Sequence, residues 1–474
     1  MIYQYDAVII GAGPAGLSAA HTLAKAGKTI LLIEADPVYV GGIARTVCID
    51  NYRFDIGGHR FFTKSQEVDS FWHEVLPNDF LQRPRSSKIF YKNRFFDYPL
   101  KPLQAFFRLG VLESFLCVFS YVKARFSASA PAKNFADWVT QRFGHRLFKI
   151  FFENYTEKVW GMKCTEISSD WASQRIQTLS LVSSIFSQLK NSARSSRHKS
   201  LIKLFNYPRL GPGQLWENCA RQFEAAGGKL LMGTRFVSGV QLNTGGWSIA
   251  LQNANEIKTV SAQHLISSAP LSVSIPALTP RLSDETLLAA TLLTYRNFIT
   301  VILIMKGSAP FTEQWLYIQD PSVHVGRIQN FRAWSPDLVP DLGHESFGLE
   351  YFCWENDHLW NMTEAELIEL AKDEFSKIGL SSGLEFVRGH VVRQPKAYPV
   401  YDDGYKLRVE KIRAEIDRKF SNFHFIGRNG THRYNNQDHA VMTGLLTAKN
   451  ILADNRQFDI WRVNQDGQYL ETTT

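Results

Sequence analysis

Tyr5-Asp6-Ala7-Val8-Ile9-Ile10-Gly11-Ala12-Gly13-Pro14-Ala15-Gly16 opens the chain with a short apolar run that breaks into a glycine turn. Leu17 to Ala26 then reads as a helix rich in Ala and Leu, and Thr29 to Ile33 as a second buried strand ending in Glu34. Strand, glycine turn, helix, strand and acid in this order form the dinucleotide-binding fingerprint in its required context. Gly11 permits the tight turn, Gly13 lets main chain approach a pyrophosphate, and Gly16 lets helix and strand pack closely. Pro14 and Ala15 begin the helix, whose free amides and positive dipole end suit phosphates. Glu34 can accept hydrogen bonds from a ribose.

NAD and FAD share this fingerprint, so the following residues decide between them. Gly41-Gly42-Ile43-Ala44-Arg45-Thr46 and Phe54-Asp55-Ile56-Gly57-Gly58-His59 are not needed by a plain dehydrogenase, although either pair alone reads as a turn. Together they are similar to segments of FAD proteins of the amine-oxidase and protoporphyrinogen-oxidase superfamily. That resemblance implies that Gly41, Gly42, Arg45, Gly57, Gly58 and His59 lie against diphosphate and isoalloxazine, and that Gly427, Arg428 and Asp438 close the cofactor site.

With 474 residues, the chain exceeds one small core. The net charge of +8, from 53 basic and 45 acidic side chains, suits anionic partners. No RNA- or DNA-binding motif is present, which leaves an anionic small substrate or a membrane surface. Cys48, Cys117, Cys164, Cys219 and Cys353 are scattered, without metal-ligand spacing, and are expected reduced and buried. No signal peptide is expected ahead of the first strand, and no apolar run reaches the roughly 18 residues of a membrane span. The expectation is a cytoplasmic protein, at most peripheral to the inner membrane face.

Along the chain, the pattern predicts a short helix and turn over Phe71–Leu81 and a hairpin over Ile89–Phe96 with its turn at Lys92-Asn93. Ala105–Phe126, the most apolar region, reads as buried helices, with a membrane-surface face as the lesser reading. Phe135–Tyr155 has helical spacing, and Lys190–Lys203 is a basic exposed loop. From Lys229 the pattern becomes β; His264–Pro270 reads as the strand returning to the first domain, and Met442–Leu452 as the closing helix. The expected fold is α/β: a Rossmann-like FAD-binding domain of the glutathione-reductase type, discontinuous over 1–80, 205–290 and 415–455. Inserted are a mainly helical substrate or lid region, 81–204, and a β-sheet substrate domain, 291–414; 456–474 is a tail.

Tyr155-Thr156-Glu157-Lys158-Val159-Trp160 resembles the Tyr-Thr-x-Lys-x-Trp signature of the UDP-galactopyranose mutases, although two core aromatics at a helix end would be the plainer reading of the motif alone. Further likenesses follow in that family's order along nearly the whole chain: Gly57–Thr63, Arg175, Tyr207–Gly213, Tyr295-Arg296, Gly326–Phe331, Ala397–Val400, Gly427-Arg428 and Tyr434. The resemblance implies that Tyr155 and Trp160 contact nucleotide and sugar and that Arg175 and Arg296 clamp a diphosphate. Arg327, Tyr398 and Tyr434 would contact substrate. Catalytic roles fall by the same resemblance to Arg175, Arg296, His59 and Tyr434. The implied reaction interconverts pyranose and furanose forms of a nucleotide sugar over N5 of reduced FAD, with NAD(P)H as a reductant and no metal. Three departures stand out: Phe62 replaces a histidine, Asn330 a glutamate and Asn436 an aspartate. Arg433–His439 resembles a run in flavoproteins encoded beside polysaccharide genes. The partner is a nucleotide-diphosphate sugar or another anionic glycosyl substrate. The alternative is an FAD oxidoreductase of the amine or protoporphyrinogen oxidase type.

Overall fold

A computed structural model describes residues 3–98, 100, 102–127, 131–169, 171 and 204–464. Arg175, the loop Lys190–Lys203 and the tail beyond residue 464 lie outside the described residues.

The opening stretch folds as strand β1 (Tyr5–Ile10), helix α1 (Pro14–Lys25) and strand β2 (Ile30–Ile33). β1 lies parallel to β2 on one side, Ala7 opposite Ile30, and parallel to the strand Glu256–Ser267 on the other, Val8 opposite Leu265. Covered on both faces, such strands need apolar residues at successive positions, which Ala7–Ile10 and Ile30–Ile33 supply. The sheet has eight strands. Lys229–Leu231 extends it beyond β2, the antiparallel arm Trp247–Asn253 and Thr234–Gln241 extends it the other way to the edge strand Leu278–Thr279, and Phe423–Phe425 pairs with the end of Glu256–Ser267. Its strands thus come from three separated parts of the chain. α1 packs against the closing helix Gln437–Leu452 through Leu17, Ala20, Val441 and Leu445. Their approach needs a glycine: a Cβ on Gly444 would meet Ser18 Oγ at 2.3 Å and the Ala15 carbonyl at 2.4 Å.

A second sheet of seven strands runs in the order Leu384–Pro399, Tyr295–Gly307, His344–Cys353, Arg327–Asn330, Trp315–Ile318, Ser87–Tyr91, Arg94–Asp97. The last two form the expected hairpin, with Lys92 (φ 49°) and Asn93 (φ 56°) both left-handed as a two-residue type I′ turn requires.

Several expectations are corrected. Helix α2 spans Gln66–Val75, started by Ser65 Oγ, which accepts from Val68 N–H. The residues after it enter a strand, Phe80–Pro84, paired with Leu204–Pro208. The apolar region does form helices, α3 (Pro102–Leu109) and α4 (Val111–Ser127), but α4 turns most of its large apolar side chains to solvent. Phe135–Tyr155 is not one helix: α5 (Phe135–Phe143) stops at Gly144 (φ 83°), and α6 (His145–Phe148) passes through a π turn, Lys149–Glu153, into α7 (Asn154–Trp160). The closing helix begins five residues early because Asn436 and His439 cap each other's main chain. All five cysteines are free, and Cys48 is half-buried rather than buried. Among the described residues no helix is long and apolar enough to cross a membrane, and no three His, Cys, Asp or Glu gather to hold a metal.

Candidate functional site

The first part of the site is built where β1 ends. Gly11 has φ 92°, and Gly16 sits so close to it that a Cβ would lie 1.9 Å from the Gly11 carbonyl. Packing therefore explains both. It does not explain Gly13, whose φ of −78° any residue adopts and whose Cβ would meet only Gly42 Cα, at 3.9 Å. Gly41 N–H donates to the Ala12 carbonyl at 2.8 Å, which docks the second glycine pair on the first. The Glu34 carboxylate accepts from Ala12 N–H at 2.7 Å and Asp36 N–H at 2.9 Å; burial raises its pKa, and each oxygen keeps a lone pair for a hydroxyl. Arg45, lowered by burial, donates to the Gly42 carbonyl at 2.9 Å and faces Asp36 at 3.8 Å. Pro14 is the first residue of α1, and Ala15 packs beneath Gly427 (φ 72°), where a Cβ would come within 3.0 Å of it. Asp438, buried at the start of the closing helix, accepts from His439 N–H at 2.8 Å.

These features fit a flavin dinucleotide. The slot between Gly13 and Gly42 is the telling one: the φ of 55° explains Gly42, but nothing in the protein demands that Gly13 lack a side chain. Gly57 and Gly58 continue the cradle: Gly57 has φ 80°, and a Cβ on Gly58 would lie 2.0 Å from the Trp315 ring. His59 Nε2 lies 3.0 Å from the Ile43 carbonyl and 2.9 Å from the Ile56 carbonyl. Two carbonyls can only accept, so Nε2 carries the proton and Nδ1 is left as acceptor. Burial lowers the imidazole pKa to about 4, and nearby Arg428 and Arg327 push the same way.

Beyond His59 lies a chamber of tyrosines and arginines. The rings of Tyr398 and Tyr434 stack at 5.5 Å and 12°. Arg428 lies 4.8 Å from the Tyr434 ring centre and 5.4 Å from that of Tyr398, its guanidinium tied to the carbonyls of Asn435 and Ala397. Arg327 donates to Tyr398 Oη at 3.2 Å and pairs with Glu350, which also accepts from Gln329 at 2.8 Å. Burial alone would lower the Arg327 pKa; Glu350, together with Tyr398, Tyr155 and Tyr434, more than reverses that. Tyr155, delivered by the π turn, meets Tyr317 edge-on at 5.4 Å, and burial raises its hydroxyl pKa well above the usual range.

Two other sequence candidates sit deeper. Trp160 is 1% exposed, its ring 5.2 Å from Trp171, and its Nε1–H meets no acceptor among the described residues. Arg296 is 2% exposed and donates to the carbonyls of Phe352 at 2.7 Å, Val159 at 3.2 Å and Lys158 at 3.4 Å. It presses on Gly161, where a Cβ would come within 2.4 Å of Nη1. Burial lowers its pKa to about 10. The Lys158-to-Gly161 end of the motif is thus the seat of Arg296. Glu350 and Tyr317 escaped the sequence reading; the available signal was a lone acid in the apolar run Phe347–Cys353. Asn330 caps the short helix Phe331–Trp334 instead of supplying charge, and the carboxylate for Arg327 comes from Glu350 across the sheet.

Comparison with known proteins defines the class. The family model for flavin-containing amine oxidoreductases matches residues 14–452, and the chain belongs to that family. Among curated relatives, 15-cis-phytoene desaturase of Arabidopsis thaliana is 43% identical over 83 residues, 18% of this chain and 15% of that protein. Putrescine oxidase of Kocuria rosea is 47% identical over 55 residues, 12% of this chain and 11% of that protein. Among solved structures, reduced UDP-galactopyranose mutase superimposes with a TM-score of 0.83 at 22% identity, covering 98% of both chains. Putrescine oxidase bound to putrescine gives 0.60 at 17% identity, covering 95% of this chain and 99% of the other. The protein is therefore a mutase-like flavoprotein of the amine oxidase superfamily in its fold.

Proposed function

We propose that the protein is an FAD-dependent nucleotide-sugar mutase, acting on a UDP-galactopyranose-like substrate in surface-polysaccharide or nucleotide-sugar metabolism in the cytoplasm. The observation that carries this reading is the chamber next to Gly57–His59, where Arg428 presents a cation and Tyr398, held by the Arg327–Glu350 pair, and Tyr434 present hydroxyls suited to an anionic, polyhydroxylated ligand. Residues 1–80, 205–290 and 415–455 would form an FAD domain of the glutathione-reductase type, with 81–204 and 291–414 supplying substrate contacts.

Glu34 would hold the adenosine ribose, Gly13 and Gly42 would admit the pyrophosphate, and Gly57 to His59 would lie along the ring system. Bound and reduced, FAD supplies an electron-rich N5 and carries the hard step. The chain's own work is orientation and charge. His59, neutral at pH 7, holds the Ile43 and Ile56 carbonyls and so fixes the two glycine segments against each other. Tyr155 would lie against base or sugar, and Arg327, tethered by Glu350, fixes the hydroxyl of Tyr398 toward the sugar. Arg296 and Arg175 would attract the diphosphate, the first through Nη1, which has no hydrogen-bond partner among the described residues.

The test is turnover of UDP-galactopyranose by dithionite- or NAD(P)H-reduced protein, followed by chromatography of the ring forms. The expected outcome is furanose product only after reduction, with no stoichiometric consumption of an acceptor. Gly13→Val, which the protein itself can accommodate, is expected to be colourless and inactive yet folded. The second reading, an oxidoreductase of the amine oxidase type, is favoured by the family match. Sustained oxygen or quinone reduction driven by an amine or porphyrinogen, without mutase turnover, would establish it instead.

A further inference from the structure

Helix α4 is inverted. Val111, Leu112, Phe115, Phe119, Val122 and Phe126 fall within one arc of about 100° at 3.6 residues per turn, and all six are exposed, Phe119 to 69% and Phe126 to 89%. On the other side, Ser114 and Cys117 are buried. Phe107 of α3, 76% exposed, meets Phe106, whose ring lies 6.1 Å from that of Phe115. A contiguous apolar face of this kind is a site of association.

The charge around it selects the partner. Between residues 102 and 149 stand seven basic side chains, Arg108, Lys123, Arg125, Lys133, Arg142, Arg146 and Lys149, against two acids, Glu113 and Asp137. Glu113 is already paired with Arg146. Lys123 and Arg125 flank the apolar arc on either side and are exposed. Beside the helix a 350 Å³ pocket is lined by Lys92, Arg94, Arg108, Arg146 and Lys149, with Glu113 as its one acid. An apolar stripe bordered by cations, next to a cationic pocket roomy enough for a phospholipid headgroup, matches the layered chemistry of a bilayer surface: acyl chains below, anionic phosphates among the cations. A second copy of this chain fits less well, because a two-fold contact through α4 would set one basic rim against another.

We propose that α4 docks the protein on an anionic phospholipid bilayer, its phenylalanines inserted below the headgroups and the Lys92–Arg94–Arg108 pocket taking a lipid phosphate. At 17 residues α4 lies in the interface and does not span it. The opposite, buried side of α4 leads toward the candidate site: Cys117 packs in one cluster with Phe151 and Tyr317, and Tyr317 meets Tyr155. This inference does not depend on the reaction proposed above.

The experiment is co-sedimentation of the full-length, flavin-loaded protein with vesicles of pure phosphatidylcholine and of mixed phosphatidylcholine and phosphatidylglycerol. Binding is expected on the mixed vesicles only, and it should weaken as salt is raised. The triple variant Leu112→Glu, Phe115→Glu, Phe119→Glu changes only exposed positions; it should keep its flavin and thermal midpoint and lose binding to background. Arg94→Gln with Arg108→Gln should weaken binding about fivefold per charge. The proposal is overturned if wild type binds neither vesicle, or if the folded triple variant binds as wild type does. It is also overturned if ultracentrifugation shows a dimer that the triple variant dissolves while vesicles capture nothing.

Discussion

Arg296 and Arg327 stand on strands of the same sheet, both out of water, and the protein treats them in opposite ways. Arg327 lies directly across from Glu350 in the strand register and forms a charge-neutral pair with it, so its pKa is raised although burial alone would lower it. Arg296 has three main-chain carbonyls and only a half-exposed Asp357 at 3.7 Å, and burial lowers its pKa to about 10. Carbonyl dipoles satisfy hydrogen bonds without cancelling charge. The first arginine is therefore a fixed strut for Tyr398, and the second is a source of positive potential behind α7. The difference decides what each can offer an anion: Arg327 has little charge to spare, while Arg296 has charge but only Nη1 to aim.

The strongest way to break this contrast is to take the carboxylate from Arg327. Glu350→Gln leaves the guanidinium buried against a neutral amide and is expected to cost about 3–5 kcal/mol of stability, as when one partner of a buried pair is removed. The double variant Arg327→Met, Glu350→Leu should recover most of it, since no lone charge remains, while losing the hydrogen bond that orients Tyr398. Denaturant titration of the three proteins measures this; a single variant as stable as wild type would show that Arg327 never depended on Glu350.

A smaller effect is expected at Arg296. Lysine keeps the charge but cannot reach Lys158, Val159 and Phe352 together, so Arg296→Lys should lose about 1–3 kcal/mol through unsatisfied carbonyls. If Nη1 also meets a diphosphate, UDP affinity at equal flavin occupancy should fall about tenfold, which corresponds to about 1.4 kcal/mol. Calorimetric titration of UDP separates the two roles: lower stability with unchanged affinity would leave Arg296 as an anchor for α7 and remove it from the clamp.

The same contrast explains what the sequence disclosed. The fingerprint was legible because Gly11, Gly13, Gly16 and Glu34 lie within one strand–turn–helix–strand unit, where spacing alone sets geometry. The Lys92-Asn93 turn was legible for the same reason. The helical state of α4 was readable from local pattern, but its exposure was not: apolar side chains reveal that a face seeks a non-aqueous neighbour, not whether the neighbour belongs to the same chain. Residues 135–155 carried helical spacing, yet the break at Gly144 and the π turn changed the register that delivers Tyr155. Glu350 was invisible because its pairing with Arg327 is a property of strand register across 23 residues. The seating of Arg296 on Gly161 likewise joins strands and helix that no local pattern connects.

His59 shows a third answer to burial and gives the finest test. It finds neither a carboxylate nor enough dipoles to keep a charge, and it sheds its proton, with a pKa of about 4. In the unfolded chain an imidazole titrates near 6.5. Between these values the unfolded state binds more protons than the folded one, so stability rises with pH across the window. The contribution is complete above about pH 6.5 and is lost as pH falls toward 4. His59 as a residue is only half-buried, so the loss between pH 7 and pH 5 is expected to be modest, about 1 kcal/mol. His59→Gln can keep an N–H for the carbonyls of Ile43 and Ile56 but cannot titrate. It should remove this part of the pH slope and leave the stability at pH 7 within about 1 kcal/mol of wild type. His424 and His432, lowered by burial to about 3 and about 4, keep their own slopes in both proteins and so cancel in the difference. Thermal midpoints of wild type and His59→Gln from pH 5 to 8, at equal flavin occupancy, make the comparison. Parallel curves would mean that His59 titrates in the fold as it does in the unfolded chain, and a wild-type curve that falls relative to His59→Gln as pH rises would mean that the ring stays protonated and that the carbonyls, as at Arg296, hold a cation in place.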